Sequence, residues 1–302
     1  MRTAREIWRD AWNLLWTGDV YGKFLFGTFC LIFVGWLAKI VAVILSLVGY
    51  FILKGMFDPQ VLAAVKEMPW QTFLKDYDPA ALKEIVQTLC HYPRLVIMGL
   101  LLTIPPLFVI FYFEGFKEWG MHAMGIAGAR RGLSVSHALC GWGHGWKMVG
   151  LSLWQLTLVG LKMLLLVVPG VRALFSYALA PYLLIDHPDW TSRQCLNESE
   201  RLMNGHRWRL FKVSLVFVGF FLFAFLLNLA ADKLQQVLLE YLAKILGVLV
   251  VPYVGMVFAL FYENRLDEVE AEKRADENVE KAELIDEQET DEQERNPEDD
   301  EH

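Results

Sequence analysis

Over residues 2–16 the apolar positions Ala4, Ile7, Trp8, Ala11, Trp12 and Leu15 recur at helical spacing, with Arg2, Arg5, Glu6, Arg9 and Asp10 largely opposite. That period draws one apolar stripe along a helix. Its charged, mostly basic far side suits a helix lying in the headgroup layer of a membrane. Beyond Tyr21 the stripe gives way to long apolar runs, at about 24–53, 95–113, 149–168, 211–230 and 238–262. A helix of roughly 20 residues crosses a hydrocarbon core of about 30 Å, so these runs predict five transmembrane helices. A sixth run, 171–185, would rise only roughly 22 Å as a helix. It follows Pro169-Gly170 directly, which predicts a tight hairpin whose short return helix either thins the bilayer or is shielded by protein.

The expected fold class is therefore all-α: a polytopic membrane helix bundle of about six spans. Its expected divisions are an amphipathic N-terminal helix over 1–23, a membrane domain over 24–262 and an acidic cytoplasmic tail over 263–302. Lys and Arg in short connections set orientation. Arg2, Arg5, Arg9 and Lys23 precede the first span, while Lys117, Arg130, Arg131 and Lys147 fall in the 114–148 connection. Arg193, Arg201, Arg207, Arg209 and Lys212 fall before the fifth span, and the opposite turns carry little beyond Arg172 and Lys233. Both termini are expected inside. The long outer loop, 54–93, holds Asp58-Pro59 and Asp78-Pro79, each a helix-start signal with Asp as cap and Pro at the first helical position. Within 114–148, Gly128 and Gly132 have the small-xxx-small spacing that lets helix backbones approach, which predicts a close-packed helix there.

Composition agrees with a membrane class: of 302 residues 55% are hydrophobic, and mean hydropathy is +0.33. The net charge of −7 hides a division. Residues 263–302 hold 19 Asp/Glu against 5 Lys/Arg, which leaves 23 Lys/Arg against 16 Asp/Glu in residues 1–262. The body is basic and the tail acidic. Cys30, Cys90, Cys140 and Cys195 show no paired spacing and read as packing thiols. No small-residue cleavage site precedes the first apolar run, so no removed signal peptide is expected.

Ionisable groups inside spans are functional suspects by default. Lys162 and Lys244 each lie roughly 10 Å from the expected outer end of their helices. With Arg172 they are expected either to snorkel independently or to form an outer-leaflet pocket for an anionic lipid or small solute. Lys39, midway along a thirty-residue run, reads as a snorkelling lysine. Pro105-Pro106, Pro181 and Pro252 recur at similar intervals, the last two followed by Tyr182 and Tyr253, which hints at repeated hairpins. Proline frees a carbonyl that something must satisfy, so these broken helices are candidates to border a binding cavity, with Tyr177 beside them. His122, His137 and His144 lack the spacing of a metal site, and no metal or cofactor is expected. No phosphate loop, nucleophile elbow or dinucleotide fingerprint is present, so no enzyme is expected. The cluster ERLMNGHRWRLFK, at the mouth of a span, points to anionic headgroups and not to nucleic acid.

Three ordered motifs carry a family resemblance. They are LLLVVPGVRALFSYALAPYLLIDHPD, with Pro169, Gly170, Tyr177, Pro181, Tyr182 and Asp186; NESERLMNGHRWRLFKVSL, with Ser199, Met203, Gly205 and Phe211; and VVPYVGMVFALFYENRL, with Pro252, Tyr253, Phe261 and Tyr262. Over about 153–266 the chain resembles the bacterial integral-membrane family called domain of unknown function 975, and TAREIWRDAWNLL is similar to that family's opening helix. The resemblance implies a multi-pass protein of the bacterial cytoplasmic membrane and brings no activity or site residues. A fainter likeness, to the membrane domain that accompanies some glycerophosphodiester phosphodiesterases, fits lipid-related work. Two functions are expected from these readings. One is binding or moving an anionic lipid or small solute, with membrane lipids as partners. The other is a non-catalytic scaffold whose amphipathic ends and acidic tail recruit a protein partner.

Overall fold

A computed structural model describes residues 3–56, 80, 83, 86, 87, 93–234 and 237–295. The two Asp-Pro starts and Cys90 lie outside them. Among the described residues ten helices follow one another: α1 (Ala4–Trp16), α2 (Val20–Met56), α3 (Pro93–Ala129), α4 (Ser136–Leu139), α5 (Gly145–Leu165), α6 (Val167–Ser176), α7 (Ala180–Asp186), α8 (Ser192–Leu202), α9 (Arg207–Leu234) and α10 (Val237–Arg295). The fold is an all-α polytopic bundle. Five stretches among the described residues are long and apolar enough to cross a membrane: Val20–Phe51, Gly145–Leu165, Val167–Asp186, Arg207–Ala230 and Tyr241–Ile285. The predicted run 95–113 lies on α3, which continues as one helix through the small-residue stretch to Ala129.

The chain divides into two compact units. The first comprises Met1–Thr28, Met121–Ala138 and Leu151–His302. Within it α9 and α10 run antiparallel, Phe217 stacking near Phe258 while Arg209 reaches Glu268. Helix α1 lies across both. Thr3 and Glu6 cap its start with reciprocal bonds, and Ile7, Ala11 and Leu15 are buried. Tyr253 Oη donates to the Trp8 carbonyl at 3.2 Å, and the Trp8 ring packs against Phe217 and Tyr253. The predicted headgroup helix is thus docked on protein by one strip of its apolar face. Trp12 (55% exposed) meets the Tyr253 ring edge-on at 6.0 Å, and Trp16 (61% exposed) stacks on Tyr21 at 5.3 Å. The second unit comprises Phe29–Gly120 and Leu139–Gly150. There α3 meets the glycine-rich turn before α5: Gly143 N–H donates to Tyr112 Oη, Trp119 stacks on His144, and Gly115 lies directly against the Gly145 carbonyl.

Three expectations need correction. The hairpin turns at Leu166, which is fully extended (φ −160°), and not at Pro169-Gly170. Pro169 falls instead in the first turn of α6, where its missing N–H costs nothing. Gly170 allows the close return, since a Cβ there would overlap the Met163 side chain and stand 2.7 Å from its Cα. The small-residue crossing uses Gly125 and Gly128, not Gly128 and Gly132. A Cβ on Gly125 would meet the Gly255 carbonyl at 3.0 Å, and one on Gly128 the Met256 Cε at 2.5 Å. Gly132 instead closes α3, its N–H bonding the Ala127 carbonyl while Arg131 N–H bonds that of Gly128, the Schellman pattern. Finally, Pro105-Pro106 and Pro252 are helix-interior whereas Pro181 sits in the first turn of α7, so the prolines mark no structural repeat.

Candidate functional site

The sequence-selected residues occupy three places. Lys162 Nζ donates to Tyr177 Oη at 2.8 Å and lies 5.0 Å from the Tyr177 ring centre, which is the pairing that proximity of the α5 and α6 ends permits. Arg172 is exposed on α6. Lys244 lies over the ring of Tyr241, one turn earlier on its own helix. Tyr177 ends α6, Pro181 starts α7, and between them the backbone turns over residues 177–179. The predicted break is therefore present, but protein fills it. Ser199 of α8, fully buried, accepts from Leu179 N–H at 3.2 Å and donates to the Ser176 carbonyl at 2.8 Å. At Pro252, α10 continues unbroken, and Tyr21 Oη donates to the Leu249 carbonyl at 2.9 Å. A proline ring turns the carbonyls of the preceding turn outward, and here a hydroxyl from α2 meets one of them.

The densest polar chemistry lies where the apolar runs end. Arg130, just past α3, donates from both Nη atoms to the Asp186 carboxylate at 3.0 and 2.8 Å and from Nε to Glu263 at 2.9 Å. Tyr262 Oη donates to the same Asp186 at 2.8 Å. The Tyr262 ring stacks on Tyr182, which in turn meets the His122 ring edge-on at 4.7 Å. One guanidinium, bidentate to Asp186, thus ties the ends of α3 and α7 to the middle of α10. One turn along α10, Arg265 (5% exposed) donates to the terminal Leu202 carbonyl of α8 at 3.1 Å and to Glu268 at 2.7 Å. Arg209 of α9 reaches Glu268 at 2.9 Å. The two networks join five helices.

Beside the first network opens a cavity of about 750 Å³, walled by α1 (Asp10, Asn13, Leu14), the α1–α2 turn, Lys23 of α2, the end of α3 and α10 (Glu263, Asn264, Asp267). Three features separate it from ordinary packing. Asn264 is 8% exposed, and its amide nitrogen has no hydrogen-bond partner, a state that costs about 1–3 kcal/mol when nothing fills it. Lys23 and Arg131 make no ion pair among the described residues. Arg131 also holds φ +59°, the left-handed position after a helix, where an L side chain costs roughly 1–2 kcal/mol and glycine is usual. Lys23 and Arg131, on the wall of a partly enclosed space, can hold a negatively charged or oxygen-rich group. Asp267, on the same wall, can meet a positive one.

The sequence reading missed Asp186, Glu263 and Asn264 as site residues. Arg130 lies 56 residues from Asp186 and 133 from Glu263, so no local spacing announces the pairing. The one signal available was that all three stand where an apolar run stops.

Residues 133–268 match the family model described as "Protein of unknown function (DUF975)". The match begins twenty residues before the resemblance over about 153–266, and it takes in Asp186, Glu263, Asn264 and Asp267. Arg130 and Arg131 fall just before it. No curated protein and no solved structure matches the chain.

Proposed function

We propose that this multi-pass membrane protein is a binding protein of the bacterial cytoplasmic membrane, with both termini inside, which holds a polar ligand in the cavity between α1, α3 and α10. Its work is recognition or movement of a lipid headgroup or small solute, without catalysis. Support for the place comes from the basic connections that flank this end of the bundle. Support for binding comes chiefly from one observation, a charge-lined cavity of about 750 Å³ whose wall holds Lys23 and Arg131 with no ion pair among the described residues. The expected outer-leaflet pocket of Lys162, Arg172 and Lys244 receives less support, because Tyr177 and Tyr241 already engage the two lysines.

The test is ligand-dependent stabilisation of the detergent-purified full chain. Lys23→Gln removes one cation of the wall at an exposed position, so its unliganded melting temperature should equal that of the native protein, while stabilisation by added membrane lipid extract is lost. Retention of that stabilisation in the variant rejects the cavity as the binding site.

A second reading has its own support. Helix α10 runs on to Arg295, with residues 271–285 exposed throughout, an acidic rod suited to recruiting a basic partner as a scaffold would. Deleting 270–302 should then release a co-purifying protein, and intact complexes after the deletion count against it.

A further inference from the structure

Helix α1 turns a different surface to each of its surroundings. Ile7, Ala11 and Leu15 form its buried side. Along one edge Trp8 and Trp12 meet the Tyr253 ring, and Trp8 also meets Phe217. Along the other edge Asp10, Asn13 and Leu14 share a cavity wall with Glu263, Asn264 and Asp267. The two edges therefore stand at different heights on α10. Tyr253 lies within the apolar run, roughly 14 Å along the helix from Tyr262. Glu263 and Asp267 lie past the end of that run. Helix α1 thus crosses α10 with the boundary between hydrocarbon and water running along its own length.

The outward side of α1 lies on that boundary. At about 3.6 residues per turn, Arg5, Arg9 and Trp16 fall between the two edges, opposite the buried side. Arg5, Arg9, Trp12 and Trp16 are all exposed. Of the acids on α1, Glu6 is held in the capping box with Thr3, and Asp10 stands on the cavity edge. The outward side therefore carries guanidinium and indole groups and no carboxylate of its own.

We propose that this side of α1 is a docking surface for anionic phospholipid headgroups, separate from the cavity. Trp12 and Trp16 seat among the upper carbons of the acyl chains, and Arg5 and Arg9 take the phosphates beside them. Three observations carry this. The apolar stripe that would hold a free amphipathic helix in a bilayer is already buried against protein, so the lipid contact falls to the indoles, which favour the interface. The height of Tyr253 on α10 puts those indoles on the hydrocarbon side of the boundary. Guanidinium groups fit phosphate oxygens in pairs, and a strip with two cations and no acid complements a net negative headgroup better than a zwitterion.

The test uses the full chain in vesicles of phosphatidylethanolamine with and without phosphatidylglycerol, and reads tryptophan emission. The difference between the native protein and Trp12→Phe/Trp16→Phe isolates the two indoles. That emission should be quenched by lipids brominated on the upper acyl chain and not by acrylamide in the water. Brominated phosphatidylglycerol should quench it in preference to brominated phosphatidylethanolamine. Arg5→Gln/Arg9→Gln should weaken that preference on the order of tenfold, since each basic side chain near an anionic surface contributes about fivefold. Added salt should weaken it in the native protein too, which keeps the test open if the double variant does not fold. Lys23→Gln, which alters the cavity, should leave it unchanged. Free access of acrylamide to the two indoles, or protection from both quenchers, overturns the lipid surface, the second outcome marking a protein cover. A preference that survives both salt and Arg5→Gln/Arg9→Gln overturns the phosphate contacts, and one lost in Lys23→Gln moves the lipid to the cavity and overturns a separate surface.

Discussion

Replacing Asp186 by alanine tests whether the Arg130 network holds this end of the bundle together. Two losses follow from the geometry. The Tyr262 hydroxyl, on a residue with 0% exposure, loses its acceptor, which costs about 1–3 kcal/mol. Arg130 loses both bonds to the carboxylate, but its side chain is 47% exposed and keeps Glu263, so solvent limits that share to about 1 kcal/mol. The sum is about 3 kcal/mol, or roughly 6–12 °C of melting temperature at the 2–4 °C per kcal/mol usual for chains of a few hundred residues. Heating detergent-solubilised protein and following the monodisperse peak by size exclusion reads this directly. The partner variant sharpens the test. Tyr262→Phe should cost about 1 kcal/mol in the native background and nothing, or slightly less than nothing, when Asp186 is already alanine, because it then removes an orphaned hydroxyl. A drop below about 2 °C for Asp186→Ala, or equal costs of Tyr262→Phe in the two backgrounds, refutes the reasoning.

Three further outcomes are expected. His122 stands outside the predicted apolar run of α3, and burial pushes its imidazole down to about 4 from 6.5. The unfolded chain therefore protonates first on acidification, so the stability present above about pH 6.5 declines toward pH 4; melting temperatures across that window should fall in the native protein and fall less in His122→Phe, and equal slopes would exclude His122 as the cause. Gly170→Ala places a methyl inside the Met163 side chain against fixed backbone; the return of α6 should shift at a cost of about 1–3 kcal/mol, and an unchanged melting temperature would mean the α5–α6 turn is looser than its packing implies. Tyr21→Phe removes the hydroxyl that serves the Leu249 carbonyl and should cost about 1 kcal/mol, a loss absent from the Pro252→Ala background if the proline is what exposes that carbonyl.

Element type was legible because each apolar run must form its own backbone bonds in hydrocarbon, which leaves a helix as its form. The pattern in residues 2–16 gave α1 and its apolar face, but one strip of that face serves the α9–α10 pair and another faces outward. A period of 3.6 says that a stripe is buried, not what buries it. The prolines read from sequence as cavity markers, and the structure places hydroxyls beside two of them instead, Ser199 at the α6–α7 break and Tyr21 near Pro252 in unbroken α10. Ser199 and Tyr21 are unremarkable as sequence, since only tertiary placement reveals a donor that faces a carbonyl. Pro169-Gly170 was taken as the turn because both residues favour turns. Proline is equally at home in the first turn of a helix, and glycine was needed for contact with Met163 instead of for its dihedral freedom. Asp186 stood in a quoted motif, yet its role depends on Arg130 arriving from α3.

Polar satisfaction differs between the two kinds of irregular backbone in this fold. At the α6–α7 break, Ser199 supplies both a donor and an acceptor, and at Pro252 the Tyr21 hydroxyl meets the outward carbonyl. At Arg265 a nearly buried guanidinium caps the end of α8 and holds Glu268 as well. The same chain that provides these partners leaves Asn264, next to Arg265 on α10, without one. General looseness at this end of the bundle does not explain the difference, because Arg130 beside it is bound on three of its nitrogens. The wall formed by Arg130 and Glu263 is therefore tied by three hydrogen bonds, while Asn264 beside it keeps one buried amide nitrogen without a partner.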